Sequence, residues 1–430
     1  MKRLLSLATI FVAMTIGVLS AQERYDLAAR NVEPARPRLT PYHNTAEAVK
    51  GGAESRFVAV VETPTAKVEG NKSTFSTFYI MPINWLNRQV ILRVASASTA
   101  YTLYVNGREV GFSPTGAIAA EFNITKASVE GRNEISIVLD RGHLANKLYE
   151  PKALELGAVE VFSQPTIRIR DIVSKVTLND RGEGVAEFAI PVKCDALNPK
   201  SMRMRYTLRL NDTVVMADGY RELTLDMRRE DTLRFVCVVP EKALWSGEHP
   251  TMVRLDLESR IDNRIVEAVS RKVGLRQLAL QEGVTFVNGK KVALNLVESG
   301  SVKSLDKAIK AGYNGVVVTL DKGAERMIEE CARRGLYVVV RTPINTMLLG
   351  DNIRRGGNPS NDPLWNESYL WRNAQTLHAT KGCCAVVGYE IAQGHTSGLN
   401  IYDSYVMLKS LLPNYLVIYG GAKGEWATDK

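Results

Sequence analysis

The chain has 430 residues, of which 45% are hydrophobic and 23% are charged, with a formal net charge of +9. Length predicts two or three domains, and the composition excludes disordered and fibrous classes. Positive and negative residues are mixed along the chain and no basic block alternates with aromatics, so we expect no nucleic-acid partner. Acidic glycans remain compatible with the basic surface.

The first predicted element is a targeting signal. Lys2 and Arg3 precede an apolar run over residues 4–19, and small residues Ser20 and Ala21 follow. This pattern predicts a secretory signal peptide over residues 1–21 and a secreted or periplasmic protein, with an uncleaved anchor as the alternative. No later stretch is long and apolar enough to span a membrane, so we expect no span after signal cleavage.

Residues 22–165 read as a first, β-rich domain. Apolar residues flank Asn106-Gly107, the dipeptide preferred in tight hairpin turns. Further along, Ile135, Ile137 and Leu139 alternate with polar residues, as in a half-buried strand. Strands without intervening helices predict a jelly-roll type of sandwich.

Residues 166–275 continue with short alternating strands, which predict an immunoglobulin-like β-sandwich. Cys194 and Cys237 each share a strand face with apolar residues and therefore point to the core. An inter-sheet disulfide between them is the expectation, and two buried thiols are the alternative. With five cysteines, at least one thiol stays free or bonds another chain. Cys383 and Cys384 are neighbours in the sequence, and we do not expect them to bridge each other within a regular strand.

From residue 276 to residue 430 the pattern changes to alternating strands and helices, which predicts a parallel sheet. About five strands fit this length. The fourth predicted strand, over residues 385–391, is an apolar run that ends in a polar, glycine-containing loop. In parallel sheets the loops after the strands carry the chemistry.

Three runs carry a family resemblance: YVNGREVGFS over residues 104–113, AEFNIT over 120–125 and EGRNEI over 130–135. Together they resemble the sugar-binding domain of family two glycoside hydrolases, which include β-galactosidases and β-glucuronidases. The resemblance implies that residues 276–430 form an incomplete TIM-type (β/α) barrel, since a whole one takes roughly 250 residues. The family's Trp-Arg loop is altered here, because residues 148–155 contain neither residue.

The resemblance also implies where the catalytic acid/base lies. Against the family's Trp-Ser-x-Gly-Asn-Glu-Ser motif, this chain has GYEIAQG over residues 388–394. Ala392 takes the Asn position and Gln393 takes the acid/base position, while the family's nucleophile is a Glu later in the barrel. An amide cannot donate and recover a proton near neutral pH. We therefore expect both catalytic carboxylates of the retaining mechanism to be missing.

Other residues near this position are site candidates. Glu390 is the fallback acid if the alignment slips, although a structural role within the strand is favoured. His395, Trp365 and Trp426 are candidate ligand contacts, with solvation or packing as their alternatives. No histidine pair has metal-ligand spacing, and no nucleophile elbow or phosphate loop occurs, so we predict no metal and no cofactor.

Two functions are compatible with these residues and patterns. The first is a secreted, catalytically inactive family-two scaffold that binds a glycan or a protein partner. The second is an active β-galactosidase-like glycosidase with an unrecognised site, or one completed by a partner chain. An unclosed barrel leaves strand edges that need cover, so we also expect an oligomer or a partner chain at the open edge.

Overall fold

A computed structural model describes residues 26–52, 55–149, 153–349, 354 and 356–429. The predicted signal peptide, residues 1–21, lies outside the described residues. Among the helices of the described chain, none has both the length and the hydropathy to cross a bilayer. The architecture is multidomain, with two antiparallel β-sandwich-type regions followed by an α/β region.

The first region packs two antiparallel sheets, ordered β2-β3-β8-β5-β6 and β1-β9-β4-β7, around a shared apolar core. Its strands are β1 (Val58–Ala59), β2 (Thr65–Glu69), β3 (Lys72–Met81), β4 (Gln89–Val94), β5 (Tyr101–Val105), β6 (Arg108–Ser113), β7 (Ala120–Asn123), β8 (Gly131–Asp140) and β9 (Val159–Gln164), after helix α1 (Thr45–Lys50). The β5–β6 hairpin turns at Asn106 and Gly107, both with positive φ, as predicted. Alternate residues of β8 are buried, which confirms the predicted alternation.

The second region is also a sandwich of two antiparallel sheets. One holds β10, β12, β11 and β15, and the other has the order β14-β13-β16-β17. Its strands are β10 (Ile167–Ile169), β11 (Val173–Leu178), β12 (Gly184–Cys194), β13 (Lys200–Leu210), β14 (Val214–Leu225), β15 (Glu230–Val239), β16 (Val253–Ile261) and β17 (Arg264–Val273). Period-two alternation puts the apolar residues of both sheets into one core.

The expected disulfide between Cys194 and Cys237 is not formed, and both are buried free thiols. Both face the core, as predicted, but β12 and β15 are neighbours in one sheet. Cys237 pairs with Ala186, whereas Cys194 lies at the far end of β12. Eight residues of strand separate those two positions on β12, which is roughly 26 Å, far beyond the reach of a disulfide.

A small sheet of β18 (Leu278–Gln281), β19 (Val284–Val287) and β20 (Lys290–Val292) leads into the third region. There a parallel sheet has the order β21-β22-β23-β24-β25, which confirms the predicted strand–helix alternation. Its elements are β21 (Leu296–Glu298), α2 (Val302–Lys310), β22 (Gly315–Thr319), α3 (Ala324–Arg334), β23 (Tyr337–Arg341), α4 (Asn366–Thr380), β24 (Val386–Glu390), α5 (Leu399–Leu411) and β25 (Leu416–Ile418). Closure into a barrel stays a prediction.

The outer edge of β25 is covered by the chain itself. The Val417 N–H donates to Asp429 Oδ2 at 2.8 Å, and the Asp429 N–H donates to the Val417 carbonyl at 2.8 Å. Lys409 and Tyr405 of α5 hold the same carboxylate, each at 3.0 Å. At Val417, therefore, Asp429 occupies the hydrogen-bonding position that a further strand would take.

Buried ion pairs fix the three regions to one another. Arg36, almost fully buried, contacts Glu121 at 2.9 Å and donates to the Arg170 carbonyl at 2.8 Å. Arg93 contacts Glu121 at 3.4 Å and Glu325 of α3 at 2.5 Å. Through Arg36 and Arg93, one carboxylate of the first region is thus linked to the second sandwich and to α3 of the third region.

Candidate functional site at the carboxyl end of the parallel sheet

Polar residues stand at the last position of four neighbouring parallel strands. These residues are Glu298 of β21, Thr319 of β22, Arg341 of β23 and Glu390 of β24. The register aligns Thr319 with Arg341 and Arg341 with Glu390, so the side chains emerge at one edge. Ligands of parallel α/β sheets bind at this carboxyl edge.

Arg341 lies between two carboxylates. Its Nε donates to Glu390 Oε2 at 2.8 Å, and its Nη2 donates to Glu298 Oε1 at 2.5 Å. Glu390 is 8% exposed as a residue, whereas the Glu298 side chain is 68% exposed. The two carboxylates therefore share one guanidinium, with one of them inside the protein and the other at the solvent.

The electrostatic environment of Glu390 shifts its pKa upward. Burial raises the pKa of the Glu390 carboxyl, and the Arg341 guanidinium offsets only part of this effect. Nearby Glu298 raises the pKa further through like-charge repulsion. A buried carboxyl with a raised pKa is the environment of a general acid, and it is equally typical of a structural ion pair.

Gln393, the residue at the predicted acid/base position, follows Glu390 in the loop after β24. Its N–H donates to the Ile344 carbonyl at 2.8 Å, and its carbonyl accepts from the N–H and Oγ1 of Thr346, at 2.9 and 3.1 Å. Ala392 beside it is fully buried. The backbone of residue 393 is thus held firmly at the carboxyl edge, where the resemblance expects it.

The candidate ligand contacts lie in different settings. Trp365 is 4% exposed in the 3-10 turn before α4, a position that favours packing over ligand stacking. His395 is exposed in the loop after β24. Trp426 is partly buried and meets Tyr419 edge-on, with ring centroids 6.4 Å apart. The structure therefore brings Gln393, His395 and Trp426 to the end of the sheet.

A cavity of about 220 Å³ opens beside the Arg341 cluster. Its polar lining side chains are Glu298, Ser299, Thr319, Asp321, Lys322 and Arg341. The first region closes over this wall, because Tyr149 Oη donates to Asp321 Oδ2 at 3.0 Å and Lys322 pairs with Glu155 at 3.0 Å. Tyr149 and Glu155 belong to the loop that the resemblance singled out as altered.

Sequence reasoning missed Glu298, Asp321, Arg341 and Tyr149 as parts of this site. A usable signal was present for three of them. Each of Glu298, Asp321 and Arg341 lies at or just after the end of an apolar strand, and such positions converge at one edge of a parallel sheet. Tyr149 approaches from another region, and no local pattern predicts that contact.

Comparison with known proteins supplies the family context for this site. Residues 53–146 match the sugar-binding domain of glycosyl hydrolases family 2. The chain is similar to the family 2 glycosyl hydrolases. A β-galactosidase of Priestia megaterium is 24% identical over 367 residues, and one of Halalkalibacterium halodurans is 23% identical over 374 residues. These matches cover 78% and 81% of this chain but 35% and 36% of the relatives, so the chain spans about a third of their length.

Solved family 2 structures share the fold. A Bacteroides uniformis β-glucuronidase superposes with a TM-score of 0.68 at 13% identity, covering 92% of this chain and 53% of that one. A β-glucuronidase from Dictyoglomus thermophilum gives 0.67 at 15% identity, covering 85% and 73%. At these identities the likeness establishes the architecture, and activity has to be argued from the site residues.

Proposed function

We propose that this protein binds β-linked carbohydrate at the carboxyl end of its parallel sheet without catalysing the hydrolysis typical of the family 2 scaffold. Two facts together carry the proposal. Position 393 holds an amide side chain, Gln393, and the nearby Glu390 carboxylate is bound to Arg341. We further propose that the protein works outside the cytoplasm, as residues 1–21 predict.

Proton transfer is the step of hydrolysis for which this site is unsuited. A retaining glycosidase needs one carboxyl group as acid/base and a second as nucleophile, roughly 5–5.5 Å apart. The amide of Gln393 cannot shuttle a proton at neutral pH. Glu390, three residues earlier, has an oxygen engaged by Arg341 at 2.8 Å inside the protein. Neither side chain is well suited to protonate a leaving group.

The lining of the cavity favours binding. Sugar hydroxyls are recognised by fixed carboxylates, guanidinium groups and hydroxyls that act as donors or acceptors. Asp321, Glu298, Arg341 and Thr319 supply such groups around about 220 Å³, room for a single sugar ring. The Tyr149 contact fixes the position of Asp321. This set favours a neutral sugar with several hydroxyls as the ligand.

One observation favours an active glycosidase as the second candidate. Glu390 is a buried carboxyl with a raised pKa, and Glu298 is an exposed carboxyl on the same guanidinium. If Arg341 moved aside on substrate binding, these two groups could act as acid and nucleophile. This candidate predicts turnover that disappears in both Glu390→Gln and Glu298→Gln.

A glycan-binding screen run beside a hydrolysis screen tests the proposal. We expect binding without turnover, and we expect Asp321→Asn with Tyr149→Phe to weaken binding about tenfold, because the pair of changes removes the Asp321 charge and the hydroxyl that fixes its position. Glu130→Gln, an exposed change in the first region, is the matched control and should bind normally. Binding that survives the double change would place the ligand elsewhere, and no binding to any glycan would contradict the proposal.

A further inference from the structure

Two adjacent cysteines lie in a turn at the junction of the second sandwich and the parallel sheet. Cys383 and Cys384 follow the end of α4 at Thr380 and precede the start of β24 at Val386. Both cysteines thus lie before the strand, and the expectation that they do not bridge, which assumed a regular strand, does not apply to them. Since a turn does not force successive side chains to opposite faces, the geometric reason for keeping these thiols apart is removed.

Both cysteine residues line a cavity of about 370 Å³ between β11, the start of β18 and the end of α5. Cys383 is partly exposed there, and Cys384 is 5% exposed. The other three cysteines are fully or nearly fully buried: Cys194 and Cys237 lie in the sandwich core, and Cys331 lies in α3, where the Ile328 carbonyl is 3.9 Å from the Cys383 sulfur. Of the five cysteine residues, Cys383 is thus the most exposed.

The cavity is cationic. Lys175, Arg276 and Lys381 contribute to its lining, and among the described residues that line it there is no Asp or Glu. Arg276 is anchored at this place because its guanidinium donates to the carbonyls of Cys384 and Val386. A positive environment stabilises a thiolate and attracts anionic reactants.

The two thiols differ in character. A hydrogen bond with the Cys384 thiol lowers the pKa of Cys383, although burial acts in the opposite direction. Burial raises the pKa of Cys384, and the neighbouring Cys383 raises it further. The Cys384 sulfur is packed 4.0 Å from the Met252 sulfur. Cys383 is therefore the thiol that loses its proton more readily, and Cys384 is the more buried of the two residues.

We propose that Cys383 and Cys384 form a thiol–disulfide exchange site for low-molecular-weight disulfides that carry carboxylates. The Cys383 thiolate attacks one sulfur of the disulfide, a mixed disulfide forms, and the other half leaves as a thiolate that takes up a proton. Cys384 then loses its proton and attacks the Cys383 sulfur, which releases the second half as a thiol. The protein pair is oxidised by two electrons and the small disulfide is reduced by two.

The disulfide between residues 383 and 384 is easily reduced. Adjacent Cα atoms across a trans peptide are about 3.8 Å apart, shorter than the usual 4.4–6.8 Å of disulfides, so the ring is strained and readily reduced. The site therefore senses the thiol–disulfide balance around the protein. This inference is independent of the carbohydrate site, because the cavity lies at the amino-terminal end of β24 and the polar cluster lies at its carboxyl end.

The test treats the reduced, full-length protein with glutathione disulfide, followed by acid quenching, intact mass measurement and peptide mapping. The wild type should become lighter by the mass of two hydrogens, with the new bond between residues 383 and 384. Cys384→Ser should accumulate one glutathione at Cys383, and Cys383→Ser should react at least about tenfold more slowly. Cys384→Ala gives a second trapping variant, with circular dichroism to check that each variant folds.

The charge requirement has its own control. Cystamine, a cationic disulfide, should react about tenfold more slowly than glutathione disulfide. In Lys381→Met the difference between the two reaction rates should be smaller. An unmodified wild type, first modification at Cys331, or equal rates in Cys383→Ser and wild type would each overturn the proposal.

Discussion

Glu390 shows how one neighbouring residue decides the chemistry of a carboxyl group. It lies near the position where the family resemblance expects a proton donor, yet its closest partner is the Arg341 guanidinium, at 2.8 Å. Glu298 approaches the same guanidinium from the solvent side. Arg341 therefore serves mainly to pair with the buried Glu390 carboxylate. Any ligand has to interact with groups that are already paired.

Removing the guanidinium tests this pairing. Arg341→Met should lower the free energy of unfolding at pH 7 by about 3 kcal/mol, because the buried Glu390 charge loses its partner. The variant's deficit should shrink toward pH 4.5, since a carboxyl whose folded pKa is raised contributes stability at low pH that is lost as pH rises. Urea unfolding at both pH values measures this.

The control for that experiment is Arg333→Met, whose pair with Glu330 has an exposed guanidinium and should contribute less than about 1 kcal/mol. An equal deficit for Arg341→Met at pH 4.5 and pH 7 would mean that lost packing, and not the unpaired Glu390, causes the destabilisation.

Trp365 separates a packing role from a ligand-binding role. Since the side chain is buried before α4, Trp365→Ala should cost about 3–5 kcal/mol of unfolding free energy. At temperatures where the variant is folded, its glycan affinity should match that of the wild type by isothermal titration. A stable variant with lost affinity would contradict the packing role.

At the scale of elements, the edge of β25 depends on a single carboxylate. Asp429→Ala removes the acceptor for the Val417 N–H and the partner of Lys409 and Tyr405. We expect a loss of about 2 kcal/mol in urea unfolding. Glu425→Gln, an exposed change in the same segment, should have little effect and serves as the control.

The titration of Tyr405 tests the contact with Asp429 independently. Burial and the Asp429 carboxylate together raise the pKa of Tyr405 to about 12. In Asp429→Ala the ultraviolet titration of one tyrosine should therefore move to lower pH. An unchanged titration curve would show that Asp429 does not hold α5 in solution. The exposed edge should also make the variant more prone to self-association in light scattering.

How much of the fold the sequence could predict depends on the range of the interactions. The Asn106-Gly107 turn and the alternation in β8 follow from local chemistry, so their prediction succeeds. The burial of Cys194 and Cys237 also follows from period two. Their separation does not, because it depends on which strands are neighbours and in what register.

The same distinction holds for the site. The loop after β24 could be located from an apolar run ending in polar residues. Arg341 could have been found at the end of an apolar run, but its partners Glu298 and Glu390 come from strands 43 and 49 residues away in the chain. Such contacts depend on strand order, which no local pattern encodes.

At the scale of the whole molecule, the buried Glu121 connects three regions. Burial alone would raise the pKa of this carboxyl, but Arg36, Arg170 and Arg93 lower it to about 2. A carboxyl with a lowered folded-state pKa contributes stability above its unfolded pKa, near 4.3, and that contribution is lost as pH falls toward 2. We expect the free energy of unfolding to fall by about 3 kcal/mol across this range.

Unfolding of Glu121→Gln over the same pH range checks that expectation. The variant should be less stable at neutral pH and should vary less between pH 4.5 and pH 2. Burial raises the pKa of Glu267, so its effect on the free energy of unfolding falls above pH 4.5, outside the compared range. A variant with the same acid slope as the wild type would show that Glu121 does not couple the regions.

The most direct test of the central proposal is hydrolysis of aryl β-galactosides and aryl β-glucuronides by the purified protein, with Glu390→Gln beside it. We predict that wild type and variant release the aryl group at the same rate as buffer, because Gln393 cannot act as acid/base and Arg341 holds Glu390. Turnover by the wild type that disappears in Glu390→Gln would contradict the proposal and establish a working glycosidase.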